Sequence, residues 1–224
     1  MRLEALTLPT RDLTAQRIFY AETLGLPVEV GSPGSLTVRA GSSRLTFRQD
    51  DAFGGFAHLA FDIPTNRVDE AQDWLTSRVP LLADRDGLTR FPPGEHWNTT
   101  NLYFEDAAGN ILEFIARHDL PHDSAQPFGP RSVLHVSELG VVVPDVPAAV
   151  RELGRRPGLR PFNGVSDTFT AVGGHDGMLI VVPQGREWFP TRRPAVPVPF
   201  QVTFGDALGP STLNQASLEA PRCP

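Results

Sequence analysis

The 224-residue chain has no lysine; all 20 of its basic residues are arginine. That absence excludes a Schiff-base lysine, a phosphate-loop lysine and a lysine general base. Cysteine is nearly missing too, the one thiol being Cys223. No intramolecular disulfide is available, and no thiolate nucleophile or thiolate metal site is expected. Basic clusters never exceed two adjacent arginines and the formal net charge is −6, which argues against a nucleic-acid partner. No run approaches the ~20 apolar residues of a membrane span, and the opening MRLEALTLPTRD lacks a signal-peptide apolar region. A cytoplasmic protein with no membrane partner is the expectation.

Glycine and proline are plentiful instead, at 20 and 22 residues, which favours many short elements joined by turns over a long helical bundle. Their order shows a repeat. Leu3–Leu8 reads as a strand, Asp12 caps a helix with apolar positions Leu13, Ile18, Phe19 and Leu24, and Gly25 ends it. Short strands at Pro27–Val30, Leu36–Ala40 and Arg44–Arg48 complete a β-α-β-β-β unit. A second unit opens at Phe56–Ile63, has a helix from Arg67 to Arg78, and closes with strands near Leu81–Ala83, Asn101–Glu105 and Ile111–Ala116. A third opens at Glu138–Val143, with Asp145 before a helix that Gly154 ends, and strands near Thr168–Val172 and Met178–Pro183. Val198–Phe204 reads as the first strand of a fourth, unfinished unit. The fold class is α+β. Units one and two are expected to form one domain over residues 1–118. A linker at 119–133, a third half-domain at 134–204 and a tail at 205–224 would follow.

Three segments resemble the vicinal oxygen chelate superfamily, which holds glyoxalase I, extradiol dioxygenases and bleomycin-resistance proteins. They are Asp12-Leu13 with Phe19-Tyr20 and Leu24-Gly25-Leu26, then Ala57-His58-Leu59-Ala60-Phe61, then Tyr103-Phe104-Glu105-Asp106 with Gly109-Asn110-Ile111-Leu112-Glu113-Phe114. The resemblance implies that paired units curl into a cup-shaped mixed sheet. Such a cup holds a small ligand, often over a divalent metal bound from the opening and closing strands of each unit. Taking Asp12, Thr65 and Asp145 as equivalent, the opening-strand positions are Ala5, His58 and Glu138. The closing-strand positions are Thr46, Glu113 and either Ile180 or Val181. With units one and two paired, only His58 and Glu113 could ligate, and two protein ligands bind a transition metal weakly.

Two functions follow. The first is a small-molecule-binding protein with no tightly bound cofactor, in which His58, His96, Trp97, Asn98, Tyr103, Phe47 and Arg44 contact the ligand. The second is a divalent-metal-dependent lyase, isomerase or ring-cleaving dioxygenase acting on vicinal oxygens. There His58 and Glu113 are ligands completed by His96 or Glu138, or Glu113 is the catalytic base. His118 and His122 are read as solvent-facing. The loops Phe91–Asn98 and Gly185–Pro190 are read as covers of a pocket or as surface packing. A half cup in unit three leaves a sheet edge unpaired, so a homo-oligomer is expected.

Overall fold

Each unit begins with a strand that leads into a helix, and in units one and three an aspartate makes the turn. Asp12 and Asp145 both sit in extended backbone with the side chain accepting from the third residue on, Ala15 N–H at 2.9 Å and Ala148 N–H at 2.8 Å. Such a cap contributes about 1 kcal/mol to the helix it starts. The computed structural model describes residues 1–95, 97–206 and 209–219. Unit one contains β1 (Arg2–Thr10), α1 (Leu13–Ile18, continued by a wider turn over Phe19–Thr23), β2 (Val28–Val30), β3 (Ser35–Ala40) and β4 (Ser43–Gln49). Unit two contains β5 (His58–Asp62), α2 (Val68–Thr76), β6 (Arg90–Phe91), β7 (Thr99–Glu105) and β8 (Ile111–Arg117). Unit three contains β9 (His135–Val143), α3 (Val146–Leu153), β10 (Pro161–Phe162), β11 (Thr170–Gly174) and β12 (Gly177–Pro183). Then come β13 (Gln201–Asp206), β14 (Gly209–Asn214) and the short α4 (Ala216–Glu219). Among the described residues no helix is long and apolar enough to cross a membrane.

The units pair differently from the expectation. Units two and three share an eight-stranded sheet in the order β10-β11-β12-β9-β5-β8-β7-β6, and unit one shares a six-stranded sheet with β14-β13. We call these sheet B and sheet A. The opening strands meet antiparallel in both: β5 with β9, and β1 with β13. The burial patterns account for this choice. Strand β5 is buried at every residue and β9 at all but one, so each needs a partner covered on both faces. Strand β1 alternates between buried and partly exposed residues, and suits a sheet with one open face. Residues 1–118 therefore do not hold a complete cup. Unit three is no half-domain with a free edge either, because β9 is flanked by β5 and β12. The premise for self-association through that edge is gone. The tail beyond residue 204 carries strand β14 and helix α4, which its lack of periodicity did not suggest.

One apolar cluster runs behind both sheets and includes Leu6, Phe47, Phe61, Phe114, Leu139 and Phe204. A second fills the inner face of sheet B around Tyr103, Met178, Ile180 and Trp188. Two of the polar ties that join the sheets rest on Ser43 and Asp106. Ser43 Oγ donates to the Leu3 carbonyl at 2.6 Å and accepts from Val136 N–H at 3.0 Å. The hairpin before it comes so close that a Cβ on Gly41 (φ 56°) would lie 2.0 Å from the Leu134 carbonyl oxygen, so only glycine fits. The other tie is the buried Asp106, in the turn between β7 and β8. Its carboxylate accepts from Gln16 Nε2 at 2.8 Å and Tyr20 Oη at 3.1 Å, both from unit one. It also accepts from Ala108 N–H and from the backbone and side chain of Asn110.

Candidate functional site

Paired residues on neighbouring strands point to one face of a sheet. Ala60 of β5 pairs with Glu113 on one side and Glu138 on the other. The three form a row across the middle of sheet B, and His58 stands two residues along β5 on the same face. Alanine leaves the space between the two glutamates open, and they lean over it. One donor atom from each of His58, Glu113 and Glu138 lies within 4.8 Å of the others. All three residues are buried. His58 Nε2 is 3.5 Å from Glu113 Oε2. The register also settles which residue of β12 matches Glu113. Met178 pairs with Glu138 as Ile111 pairs with His58, so two residues on, Ile180 corresponds to Glu113. The floor thus has three residues able to ligate and one that is aliphatic.

Burial and mutual charge govern the protonation of this floor. Burial first, and then the charge of Glu138, raise the Glu113 pKa to about 8, against the opposing effects of Asn101, Tyr103 and Arg117. Burial lowers the pKa of His58; the Arg186 charge lowers it further, while Glu138 and a backbone interaction with Ile111 oppose. Burial, with the charges of Glu113 and Glu138, pushes the Tyr103 hydroxyl well up. Asn101 Nδ2 donates to Glu113, and Thr99 Oγ1 holds Asn101 through its Oδ1 at 2.7 Å. Arg117 lies four residues beyond Glu113 on β8, fully buried, and donates to Glu138 Oε1 at 2.5 Å. Arg117 Nε and His58 Nδ1 have no hydrogen-bond partner.

Above the floor is a cavity of about 290 Å³. Its walls come from the two loops noted in the sequence. Phe91 and Trp97 belong to one, and Arg186, Trp188 and Phe189 to the other. Tyr103 and Phe169 add further wall. The Trp188 ring lies over His58, centroids 4.9 Å apart. Gly140 permits this, since a Cβ there would come within 2.8 Å of the Trp188 ring and 3.1 Å of His58 Cβ.

Of the residues proposed from sequence, His58, Trp97, Tyr103 and Glu113 line this cavity, and Glu138 stands beside the first and last of them. His96 itself lies outside the described residues. Phe47, Arg44 and Asn98 are not in the cavity. Phe47 is fully buried behind sheet A against Tyr20. Arg44 is exposed on sheet A and pairs with Glu29 at 3.7 Å. Asn98 turns its amide to Asp119 at 2.7 Å. The first two were drawn in by pairing unit one with unit two. His122 is not simply solvent-facing, because its Nδ1 meets the buried Asp62 at 2.8 Å. His118 is held by Thr100 at 2.9 Å. Sequence reasoning missed Arg117, Asn101 and Arg186. For Arg117 a signal existed: the alternation Glu113-Ile115-Arg117 against Leu112-Phe114-Ala116 puts both charges on one strand face.

Comparison with solved structures places this architecture. A Bacillus subtilis protein provisionally named a dioxygenase superposes over 93% of this chain and 72% of its own, with a TM-score of 0.63 and 16% identity. The fold is that of the vicinal oxygen chelate proteins. Shorter chains with this fold also align, each along most of its own length. The Agrobacterium tumefaciens lactoylglutathione lyase aligns over 54% of this chain and 97% of its own (21% identity, TM-score 0.40). A glyoxalase/bleomycin resistance protein/dioxygenase from Nocardioides aligns over 58% and 90% (19% identity, TM-score 0.43). No family profile matches the sequence, and no curated protein matches it. In this chain, units two and three together complete the cup of sheet B, and in sheet A unit one is joined by the β13–β14 hairpin.

Proposed function

We propose that the cup of sheet B binds a small organic molecule with adjacent oxygens, and that a divalent cation held by His58, Glu113 and Glu138 makes the protein a metal-dependent enzyme. The convergence of those three donors within 4.8 Å on a buried floor carries this reading. The residues fit such a cation on chemical grounds. Two carboxylates and an imidazole form an oxygen-rich set suited to Mn²⁺ or Fe²⁺. Two ionised glutamates would exceed the single charge of Arg117, and the free protein meets that excess by keeping Glu113 protonated at neutral pH. With Glu138 as a third donor, the argument for weak binding from two ligands no longer applies. A bound cation would act as a Lewis acid on a ligand oxygen. Asn101 and Tyr103 orient Glu113, Arg117 orients Glu138, and the aromatic walls exclude water from the floor.

One observation favours a second reading. The Arg117–Glu138 pair already neutralises one carboxylate and protonation neutralises the other, so the floor is balanced for a cation-free binder with Glu113 as hydrogen-bond donor. Titrating dialysed protein with Mn²⁺ by calorimetry separates the two. About one equivalent bound supports the enzyme reading, and no binding at millimolar Mn²⁺ transfers the conclusion to the cation-free binder.

A further inference from the structure

The residues lining the cavity include carboxyl groups and a cation. The carboxyl groups are Glu113 and Glu138, in the floor beside His58. The cation is Arg186, half-buried. No carboxylate among the described residues pairs with this guanidinium. Its neighbour Glu187 reaches Arg85 instead, at 4.0 Å. Arg186 Nη1 donates to the Glu187 carbonyl at 3.2 Å, and its guanidinium carbon lies over the Phe169 ring, 5.2 Å from the centroid. Phe169 is in turn held edge-on by Trp97, centroids 6.3 Å apart. The guanidinium is therefore positioned by an aromatic face and a backbone carbonyl while its charge stays unmatched. An unmatched, partly desolvated guanidinium with a fixed plane is a receptor for a planar anion.

The walls add shape. Phe91, Tyr103 and Phe189 pack edge-to-face into one wall, with centroids 4.6 to 5.6 Å apart, and Trp97, Phe169 and Trp188 line the cavity with them. A volume of about 290 Å³ lies at the small end of ligand pockets, which run from ~300 to ~1,000 Å³. Aromatic walls around a small cavity suit one flat ring. A doubly charged phosphate would be drawn to Arg186 but repelled by the glutamates beyond, whereas a carboxylate carries a single charge and matches the guanidinium fork.

Resting on the reading of this cavity as the ligand site, we infer that its ligand is a single-ring aromatic carboxylate. The ring lies against the aromatic wall, the carboxylate sits on Arg186 and the oxygen-bearing edge is turned to the floor. Arg186 is then the residue that selects acids over neutral analogues.

The test is a matched pair of probes, 3,4-dihydroxybenzoate and 3,4-dihydroxybenzamide, titrated at pH 7 against tryptophan emission. Wild-type protein should bind the acid at least about tenfold more tightly than the amide, the scale of one charge-assisted hydrogen-bonded contact. Arg186→Gln should remove that preference by weakening the acid alone, and Arg186→Lys should keep part of it. Equal affinity for acid and amide in the wild type overturns the inference without recourse to a variant, as does failure of both to bind at millimolar concentration. An Arg186→Gln variant that loses both probes equally also counts against it. Mn²⁺ titration of the same preparation reports separately on the cation. Mn²⁺ binding without acid preference overturns this inference alone, and acid preference without Mn²⁺ binding supports it while overturning the metal-dependent reading.

Discussion

Across the central strands of sheet B stand Glu113, Ala60 and Glu138, with His58 alongside. The same places in sheet A hold Thr46, Thr7 and Gln201, with Ala5 alongside. The strand plan is shared and the chemistry is not. In sheet A, Gln201 is exposed, Thr7 and Thr46 are partly so, and Thr46 Oγ1 bonds to Thr37 Oγ1 at 2.9 Å. In sheet B the floor is buried beneath tryptophan and phenylalanine, and holds a carboxyl that burial and a neighbouring charge keep from ionising. A fold that closes over threonine and glutamine in one sheet does not need two buried glutamates in the other. Burying a carboxyl group costs stability unless it is matched, and the proposed cation and ligand would supply that match.

The sharpest way to break this comparison is to exchange the floors. His58→Ala or Glu113→Gln should lower Mn²⁺ affinity by more than about a thousandfold, some 4 kcal/mol, while Thr46→Ala leaves it unchanged in calorimetry. Equal effects from both sheets would show that the distinction is not one of cation binding. Next in size is the tie between the sheets. Asp106→Ala strands the buried Gln16, Tyr20 and Asn110 donors and should cost about 3 kcal/mol in urea unfolding. A single transition shifted to lower urea is expected, and two separated transitions would mean that the sheets unfold independently.

Gly140→Ala tests the roof of the sheet B floor. The added methyl group meets the Trp188 ring and should cost ~2 kcal/mol through overpacking, with a change in tryptophan emission as the ring leaves His58. Unchanged emission and stability would show that the Trp188–His58 stack is not close-packed. The smallest net effect concerns the seam, where two opposing linkages meet and His135 lies 3.7 Å from Asp62. Burial, and then the charges of His122 and Arg2, lower the His135 pKa to about 4. The unfolded chain protonates near pH 6.5 and the folded one does not, so stability is lost as pH falls from about 6.5 to 4, by up to ~1.4 kcal/mol per pH unit. Asp62, raised to about 6 chiefly by burial, acts the other way, because below pH 6 the folded state takes up its proton first. His135→Asn should therefore flatten the acid loss measured by urea unfolding between pH 7 and 4.5. A slope as steep as that of the wild type would remove His135 as its source.

The repeat was legible because Asp12 and Asp145, the glycine stops and the short apolar runs are local signals; all three units formed, but the strand expected near Leu81–Ala83 is absent and unit two has β6 at Arg90–Phe91 instead. The floor positions were legible too. Ala5, His58, Glu138, Thr46 and Glu113 were set out by carrying the family's strand positions onto the three units, and the choice between Ile180 and Val181 waited for the register of β12 on β9. What local signals could not supply was the partnership of β5 with β9. That choice depends on edges far apart in the sequence, and neighbouring units were paired by chain order. Three ligand-type residues in units two and three, against Ala5 and Thr46 in unit one, were the available hint. Arg186 was invisible for a related reason: its loop reaches the site only because β12 lies in the same sheet as β8.

The two sheets also differ in how the chain threads them. Sheet B is drawn from one uninterrupted stretch, residues 58–183, whereas sheet A joins residues 2–49 to residues 201–214. Sheet B is thus an insertion within sheet A. During synthesis β1 waits with an open edge until residues 50–200 have followed it, while the cup that carries the site has every strand it needs before β13 exists. Contacts of such long sequence separation form slowly. Sheet B is the piece that can mature first, and the half-finished sheet A closes around it as a late clasp.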